Sequence, residues 1–240
     1  MRRISPGHKS GSMPRVLMSW ITTEAVITGE RDLYLGRSLS AFMRRLGYKG
    51  RSGGRGGQQA QFKDQAQRLL SSSFSVQWQT KDKIGTGHAS MLVADRAELW
   101  WDPVNPEQDS LFESTVRLSE TFREHILNGP VPLDMRALSV LKRSPMALDA
   151  YCWLSHRMFY LKTRAHIPWV SLQNQFGAGY PKTPEGTRSF KKAFIAQLKR
   201  VKTIYPEAKV EPTSEYLILR PSPPHVPHVS ITKAIKGGNR

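Results

Sequence analysis

The sequence predicts an α+β fold, mainly α, made of two successive copies of one helix–turn–helix unit with a strand pair behind it. Three observations carry that prediction. One order of patterns runs twice, from Met13 to Trp101 and again from Leu133 to Leu219, as a repeated supersecondary unit would. Ser38-Leu39-Ser40-Ala41-Phe42 and Ser171-Leu172-Gln173-Asn174-Gln175-Phe176 stand at matching points of the two copies. Charge follows the same division. The chain has 36 Lys and Arg against 19 Asp and Glu, a net +17, and the excess crowds one segment of each copy.

In the first copy, Pro14–Thr28 is a long apolar helix and Leu33–Leu35 is β-like. A short helix opens at Ser38, followed by a glycine-rich loop, Arg51–Gly57, and a polar helix, Gln58–Leu70. Strands at Ser73–Gln79 and Ser90–Leu99 flank a Gly-Thr-Gly turn. Asp102-Pro103-Val104-Asn105-Pro106 breaks both helix and strand, which makes residues 102–113 a linker. Thr115–Ser119 alternates like a strand that Phe122–Leu127 could continue, and this stretch is assigned to the second domain. Asn128-Gly129-Pro130 is a turn, and a short helix ends near Leu141 or Lys142.

The second copy is clearer. Ser144 is an N-cap with Pro145 at the first helical position, a favoured helix start. Pro145–Leu161 then reads as the core helix. Ile167-Pro168-Trp169 leads to a short helix at Ser171, a Gly/Pro loop (Gly177–Gly186), a basic helix (Thr187–Ile204) and two strands around Glu211–Ser214. That order is the winged helix of DNA-docking proteins. The expected organisation is a flexible basic tail (1–12), an N-terminal winged helix (13–101), a linker (102–113), a C-terminal winged helix (114–220) and a Pro/Gly-rich mobile tail (221–240).

A hydrophobic fraction of 39% suffices for two small cores, which excludes a disordered chain. A positive excess of this size points to a polyanionic partner, because neutralised phosphates release counterions. Arg44, Arg45, Lys49, Arg51, Arg55, Lys63 and Arg68 crowd the first unit, and Arg188, Lys191, Lys192, Lys199, Arg200 and Lys202 the second. Asp95 to Glu124 forms an acidic middle. Cys152 stands alone, so neither an intramolecular disulfide nor a Cys-based zinc site is expected, and a reducing cytoplasm is the natural compartment. No apolar run approaches the length of a membrane span.

Thr187–Ile204 is the best candidate for recognition. At 3.6 residues per turn, Phe190, Phe194, Leu198 and Val201 share a face and should bury. Arg188, Ser189, Lys192, Lys199 and Arg200 point the other way. Arg188 can offer a bidentate fork to guanine, and Ser189 and Lys192 can reach base edges or phosphates. Lys191 belongs to the same basic set, and Lys199 and Arg200 suit backbone contact. In the first unit's equivalent helix, Phe62, Ala66 and Leu69 form the buried stripe, while Gln61, Lys63, Gln67 and Arg68 face out. Glutamines can read adenine. Arg51 and Arg55 in the glycine loop suit backbone or minor-groove contact, and Lys81 and Lys83 on the first wing suit phosphates. The loop is no nucleotide-binding P-loop, because its spacing is wrong and no Gly-Lys-Ser/Thr follows. Glu211 and Glu215 make the second wing a weaker DNA contact. No carboxylate pair, Ser–His–Asp set, ATP motif or metal-ligand pattern is visible, so no enzyme, cofactor or metal is expected.

Longer strings resemble the plasmid RepA replication initiators of Gram-negative bacteria. They are Leu118-Ser119-Glu120-Thr121-Phe122-Arg123-Glu124-His125-Ile126, Pro130-Val131-Pro132-Leu133-Asp134-Met135-Arg136-Ala137-Leu138, Lys142-Arg143-Ser144-Pro145-Met146-Ala147-Leu148-Asp149, Ile167-Pro168-Trp169, Gln175-Phe176-Gly177 and Pro221-Ser222-Pro223. Pro14–Leu17, Trp20–Ala25 and Leu35–Leu39 are similar to the same family's N-terminal half. The resemblance implies an initiator that binds repeats (iterons) at a double-stranded plasmid origin and helps to open the duplex. It also implies recruitment of host replication initiator and helicase machinery, tandem winged helices, a homodimer through the first domain, and repression of its own gene. It assigns no individual DNA-contact residue. The competing reading from sequence is a winged-helix transcriptional repressor with no initiation role.

Overall fold

The computed structural model describes residues 11–48, 57–79, 86–131 and 133–227. The chain is mixed α/β and divides into two compact units, 11–130 and 131–227 over the described residues.

The first unit opens with α1 (Ser12–Thr28), which buries Val16, Leu17, Trp20, Ile21 and Ala25. Gly29 ends it at φ 73°, its N–H donating to the Ala25 carbonyl. This left-handed position favours glycine, which lacks the Cβ that clashes there. β1 (Asp32–Gly36) buries Leu33 and Leu35 and exposes Tyr34, the two-residue period of a half-buried strand. α2 (Leu39–Arg45) is capped by Ser38, whose hydroxyl accepts from the Ala41 N–H. α3 (Gln58–Leu70) buries Phe62, Ala66 and Leu70. β2 (Ser73–Gln79) and β3 (Thr86–Leu92) form an antiparallel hairpin. β4 (Ala94–Glu98), β5 (Ser114–Leu118) and α4 (Glu120–Asn128) complete the unit.

Here the structure corrects the sequence reading. β5 pairs with both β1 and β4, in the order β1-β5-β4. Residues 114–118 are therefore the central strand of the first unit and do not begin the second. Phe122–Leu127 is helical, because the Ser119 hydroxyl caps it by accepting from the Phe122 N–H. The strand expected over Ser90–Leu99 is two strands broken at Val93. Its N–H bonds to Ser72 and its carbonyl accepts from Ser119, turning the chain from hairpin to sheet. Thr86 and Gly87 lie inside β3 rather than in a turn. Residues 102–113 are no free linker. Trp101 is buried beside Phe42, their rings stacked 5.1 Å apart, and the Pro106 carbonyl accepts from the Ser40 N–H and the Ser38 hydroxyl.

In the second unit, α5 (Met135–Leu141) leads to α6 (Pro145–Tyr160), where the Ser144 hydroxyl accepts from the Ala147 N–H. β6 (Ala165–Pro168), α7 (Trp169–Phe176), α8 (Pro184–Ile204), β7 (Val210–Pro212) and β8 (Tyr216–Leu219) follow. The sheet order is β6-β8-β7. Tyr151, Leu154, Phe190, Phe194 and Tyr205 are buried in its core. α7 starts at Trp169, ahead of the expected Ser171. α8 starts at Pro184, because the Thr183 hydroxyl accepts from the Gly186 N–H and caps the helix a turn early.

The expected mobile tail begins as packed chain. The Tyr205 hydroxyl donates to the Pro223 carbonyl at 2.6 Å, the Lys209 N–H donates to Ser222 Oγ at 2.9 Å, and Tyr151 Oη lies 2.7 Å from His225 Nδ1. Burial pushes the phenols of Tyr151 and Tyr205 up to about 12.

The two units share one plan: helix, strand, two helices, two strands, with the first strand joined to the last. In the first unit that plan is α1-β1-α2-α3-β4-β5, and the hairpin β2–β3 is an insertion between α3 and β4. The sequence reading took this hairpin for the sheet itself.

Candidate nucleic-acid interface

α8 has two faces. Phe190, Phe194, Leu198 and Val201 are buried. Glu185, Arg188, Ser189, Lys192, Ala196, Lys199, Arg200 and Thr203 are exposed, single positions or adjacent pairs recurring every three or four residues, one stripe on the opposite side. Burial of the phenylalanine stripe orients the helix, and the cations follow as a geometric consequence. Arg188 pairs with Glu185 of the first turn at 3.2 Å, both side chains exposed. Arg200 donates to the Gln197 side-chain carbonyl at 3.2 Å. Ser189, Lys192 and Lys199 are exposed, as expected.

Lys191 is the exception. Its ammonium turns back to donate to the Thr213 carbonyl at 2.8 Å and the Ser214 carbonyl at 2.9 Å, and sits 5.1 Å from the centre of the Trp169 ring. It ties α8 to the turn between β7 and β8 and is not presented with the other cations. Trp169 joins the same knot, its indole N–H donating to the Thr213 carbonyl at 3.1 Å. The turn itself is tight, with Thr213 and Tyr216 bonded to each other through both backbone and side chain. Across β7 and β8, Glu211 meets Arg220 at 2.9 Å, and that guanidinium holds the Glu211 carboxyl below the usual carboxylate range.

In the first unit, Gln61, Gln67 and Arg68 are exposed on α3, with Arg68 paired to Asp64 at 3.1 Å. Lys63 is half-buried and donates to the Trp101 carbonyl. It repeats the arrangement of Lys191: each lysine follows a buried phenylalanine, Phe62 or Phe190, and each binds a carbonyl in the connection between the last two strands. Arg51, Arg55, Lys81 and Lys83 lie outside the described residues.

Sequence reasoning missed three positioning residues. Gln173 is buried, donates to the Pro181 carbonyl at 2.8 Å and accepts from the Thr187 hydroxyl at 2.6 Å, locking α7 to α8. Gly186 lies so near the Pro181 backbone that a Cβ there would be 2.0 Å from the Pro181 oxygen. Glu185 pairs with Arg188. Only the glycine gave a signal, since a glycine in a helix's first turn costs stability unless space demands it.

Among the described residues, no cluster of three His, Cys, Asp or Glu could hold a metal ion, and no helix is long and apolar enough to cross a membrane.

Fold and surface together define a basic two-unit α/β protein whose units each set a helix pair against a three-stranded sheet. Residues 9–169 match the profile of the family described as plasmid encoded RepA protein. The match spans more than half of the chain, and the protein belongs to that family. The matched stretch takes in the whole first unit and ends at Trp169, the first residue of α7, so α8 lies beyond it. Among solved structures, the crystal structure of RctB domains 2-3 is similar, with a TM-score of 0.51 at 11% identity over 86% of this chain and 82% of that one. At that identity the likeness is one of fold. No curated protein matches the chain.

Proposed function

We propose that the chain is a plasmid replication initiator that reads repeated sequences in duplex origin DNA with two tandem winged helices, the second supplying most base contacts. The continuous cationic stripe of α8 is the observation that carries this reading. Its N-terminal part, Arg188, Ser189 and Lys192, suits the major groove, while Lys199 and Arg200 suit the flanking backbone. Family membership supports the role in initiation.

The mechanism is binding chemistry rather than bond-making. Each phosphate neutralised by Lys or Arg releases counterions and lowers log K by about 0.9 per unit of log salt. Contact with the repeats helps to open the origin, extra phosphate contacts offsetting the deformation cost of the DNA. Host replication initiator and helicase machinery is then recruited, and a dimer joined through the first unit represses the gene. The test is footprinting on the DNA flanking the gene at two salt concentrations. Regular protection of repeated sites that survives moderate salt is expected. Diffuse protection lost on adding salt overturns the initiator reading in favour of a general polyanion binder. Plasmid maintenance in cells separates an initiator from a pure repressor.

A further inference from the structure

We propose that the β4–β5 connection of the first unit, residues 99–113, is a protein-docking surface for a basic segment carrying an apolar anchor. The starting point is topological. This connection holds the place that the tight β7–β8 turn holds in the second unit, and a helix lysine grips it in the same way, Lys63 on Trp101 as Lys191 on Thr213. Beyond the grip, the two differ completely.

Between Arg96 and Arg117 the sequence has no Lys or Arg, but has Glu98, Asp102, Glu107, Asp109 and Glu113. In a chain of net charge +17, this segment repels phosphate and favours cations. Three of the carboxylates are engaged locally: Glu98 with Arg96, Glu107 with Arg44 at 2.9 Å, and Asp102 with the Val104 N–H and the Asn105 amide. Asp109 and Glu113 make no ion pair among the described residues. They flank Leu111 and Phe112.

Those two side chains are 88% and 59% exposed, and Trp100 beside them is 50% exposed, its ring centre 5.2 Å from that of Phe112. Large apolar side chains gain by leaving water, and three standing together in it forgo part of that gain. The segment is nonetheless well anchored. Trp101 is buried beneath it, its indole N–H donating to the Gly36 carbonyl at 3.1 Å. The Ser110 N–H donates to Arg37, and the Trp100 N–H to Ser114 Oγ. A fixed aromatic and aliphatic cluster in a polar rim is the usual form of an interface hot spot. The acidic rim selects the partner's sign. It excludes both duplex DNA and an anionic lipid surface.

The test titrates the full chain with a synthetic amphipathic helix of leucine and lysine, and with its leucine–glutamate counterpart, by calorimetry. The chain's overall charge repels the lysine helix, so binding requires a local acidic site. Wild type should bind the lysine helix, less tightly as salt is raised; the glutamate helix, drawn to the basic surfaces instead, serves as the control for the variants. Leu111→Ser with Phe112→Ser should weaken binding at least about tenfold, as should Asp109→Lys with Glu113→Lys, which keeps the apolar anchors and reads out alone if the serine variant fails to fold. Unchanged affinity for the lysine helix in folded variants overturns the proposal, as does a matching loss of affinity for the glutamate helix in the serine variant. If the serine variant loses concentration-dependent self-association while still binding the peptide, the occupant is a second copy and the proposal fails. None of these outcomes depends on DNA binding by α8.

Discussion

Replacing Lys191 by Met separates a lysine that builds the second unit from lysines that contact a ligand. The substitution keeps the aliphatic stem and removes two charge-assisted hydrogen bonds, at 2.8 and 2.9 Å, and a cation over an indole ring. Bonds of this kind are worth about 1.5–3 kcal/mol each when buried, and the ring contact about 0.5–1 kcal/mol. Two features reduce the total. Lys191 is half-buried and Ser214 is exposed, so water recovers part of the loss. The Thr213 carbonyl keeps its bond from Trp169. The net cost should be about 1–2 kcal/mol, and each kcal/mol moves the melting point of a unit this size by about 4–8 °C. Thermal unfolding followed by circular dichroism reads that shift, and amide exchange of Thr213 and Tyr216 localises it. The slope of log K against log salt for DNA should not change. By contrast, Lys192→Met should leave stability alone and reduce the slope by about 0.9. A Lys191→Met variant of unchanged stability whose slope falls by that amount would show the lysine on the DNA and refute the tether.

Arg188→Ala with Lys192→Ala should weaken specific binding and reduce the salt slope by about 0.9 for each of the two that meets a phosphate, with unchanged circular dichroism, as gel-shift titrations at several salt concentrations would reveal. Gly186→Ala should cost about 3 kcal/mol or more, because its Cβ meets the Pro181 backbone rather than a movable side chain; urea unfolding measures it. Arg136 hydrogen-bonds Asp134 and lowers its pKa. A carboxyl depressed on folding stabilises above its unfolded pKa of about 3.9 and loses that contribution as pH falls through the folded value. Wild type should therefore be more stable than Asp134→Asn at neutral pH, and the difference should shrink as pH falls through the depressed range of the folded carboxyl, as parallel acid titrations would show.

The second unit was the more legible in sequence, for physical reasons. Its core helix carries its own start signal, Ser144-Pro145, and the phenylalanine spacing of α8 fixes which side faces out, although the sequence reading starts α8 at Thr187 and passes over the same signal at Thr183-Pro184. The first unit's sheet was misread because β5 is separated from β1 by residues 37–113, and no local pattern reveals a pairing across that distance. Residues 102–113 look like a linker by their prolines and acids, yet Trp101 anchors them in a core that only the folded chain assembles. Exposure on α8 followed from periodicity. The inward turn of Lys191 did not, because a lysine between two faces can reach either way and the β7–β8 carbonyls decide. Likewise, Pro221-Ser222-Pro223-Pro224-His225 reads as a mobile tail until Tyr151 and Tyr205 supply partners.

Lys63 and Lys191 each bind a strand connection next to the helix, Lys63 at the root of a long span and Lys191 on a turn too short to have a free tip. A clamp at the base is indifferent to what is built above it. One copy of the plan therefore carries a tight turn and the other a long acidic span, without change to the helix pair or the sheet order. The same freedom makes the exposed tip of the first unit's span, at Leu111, a natural graft point, where a foreign loop inserts beyond an intact clamp and α3 keeps its place.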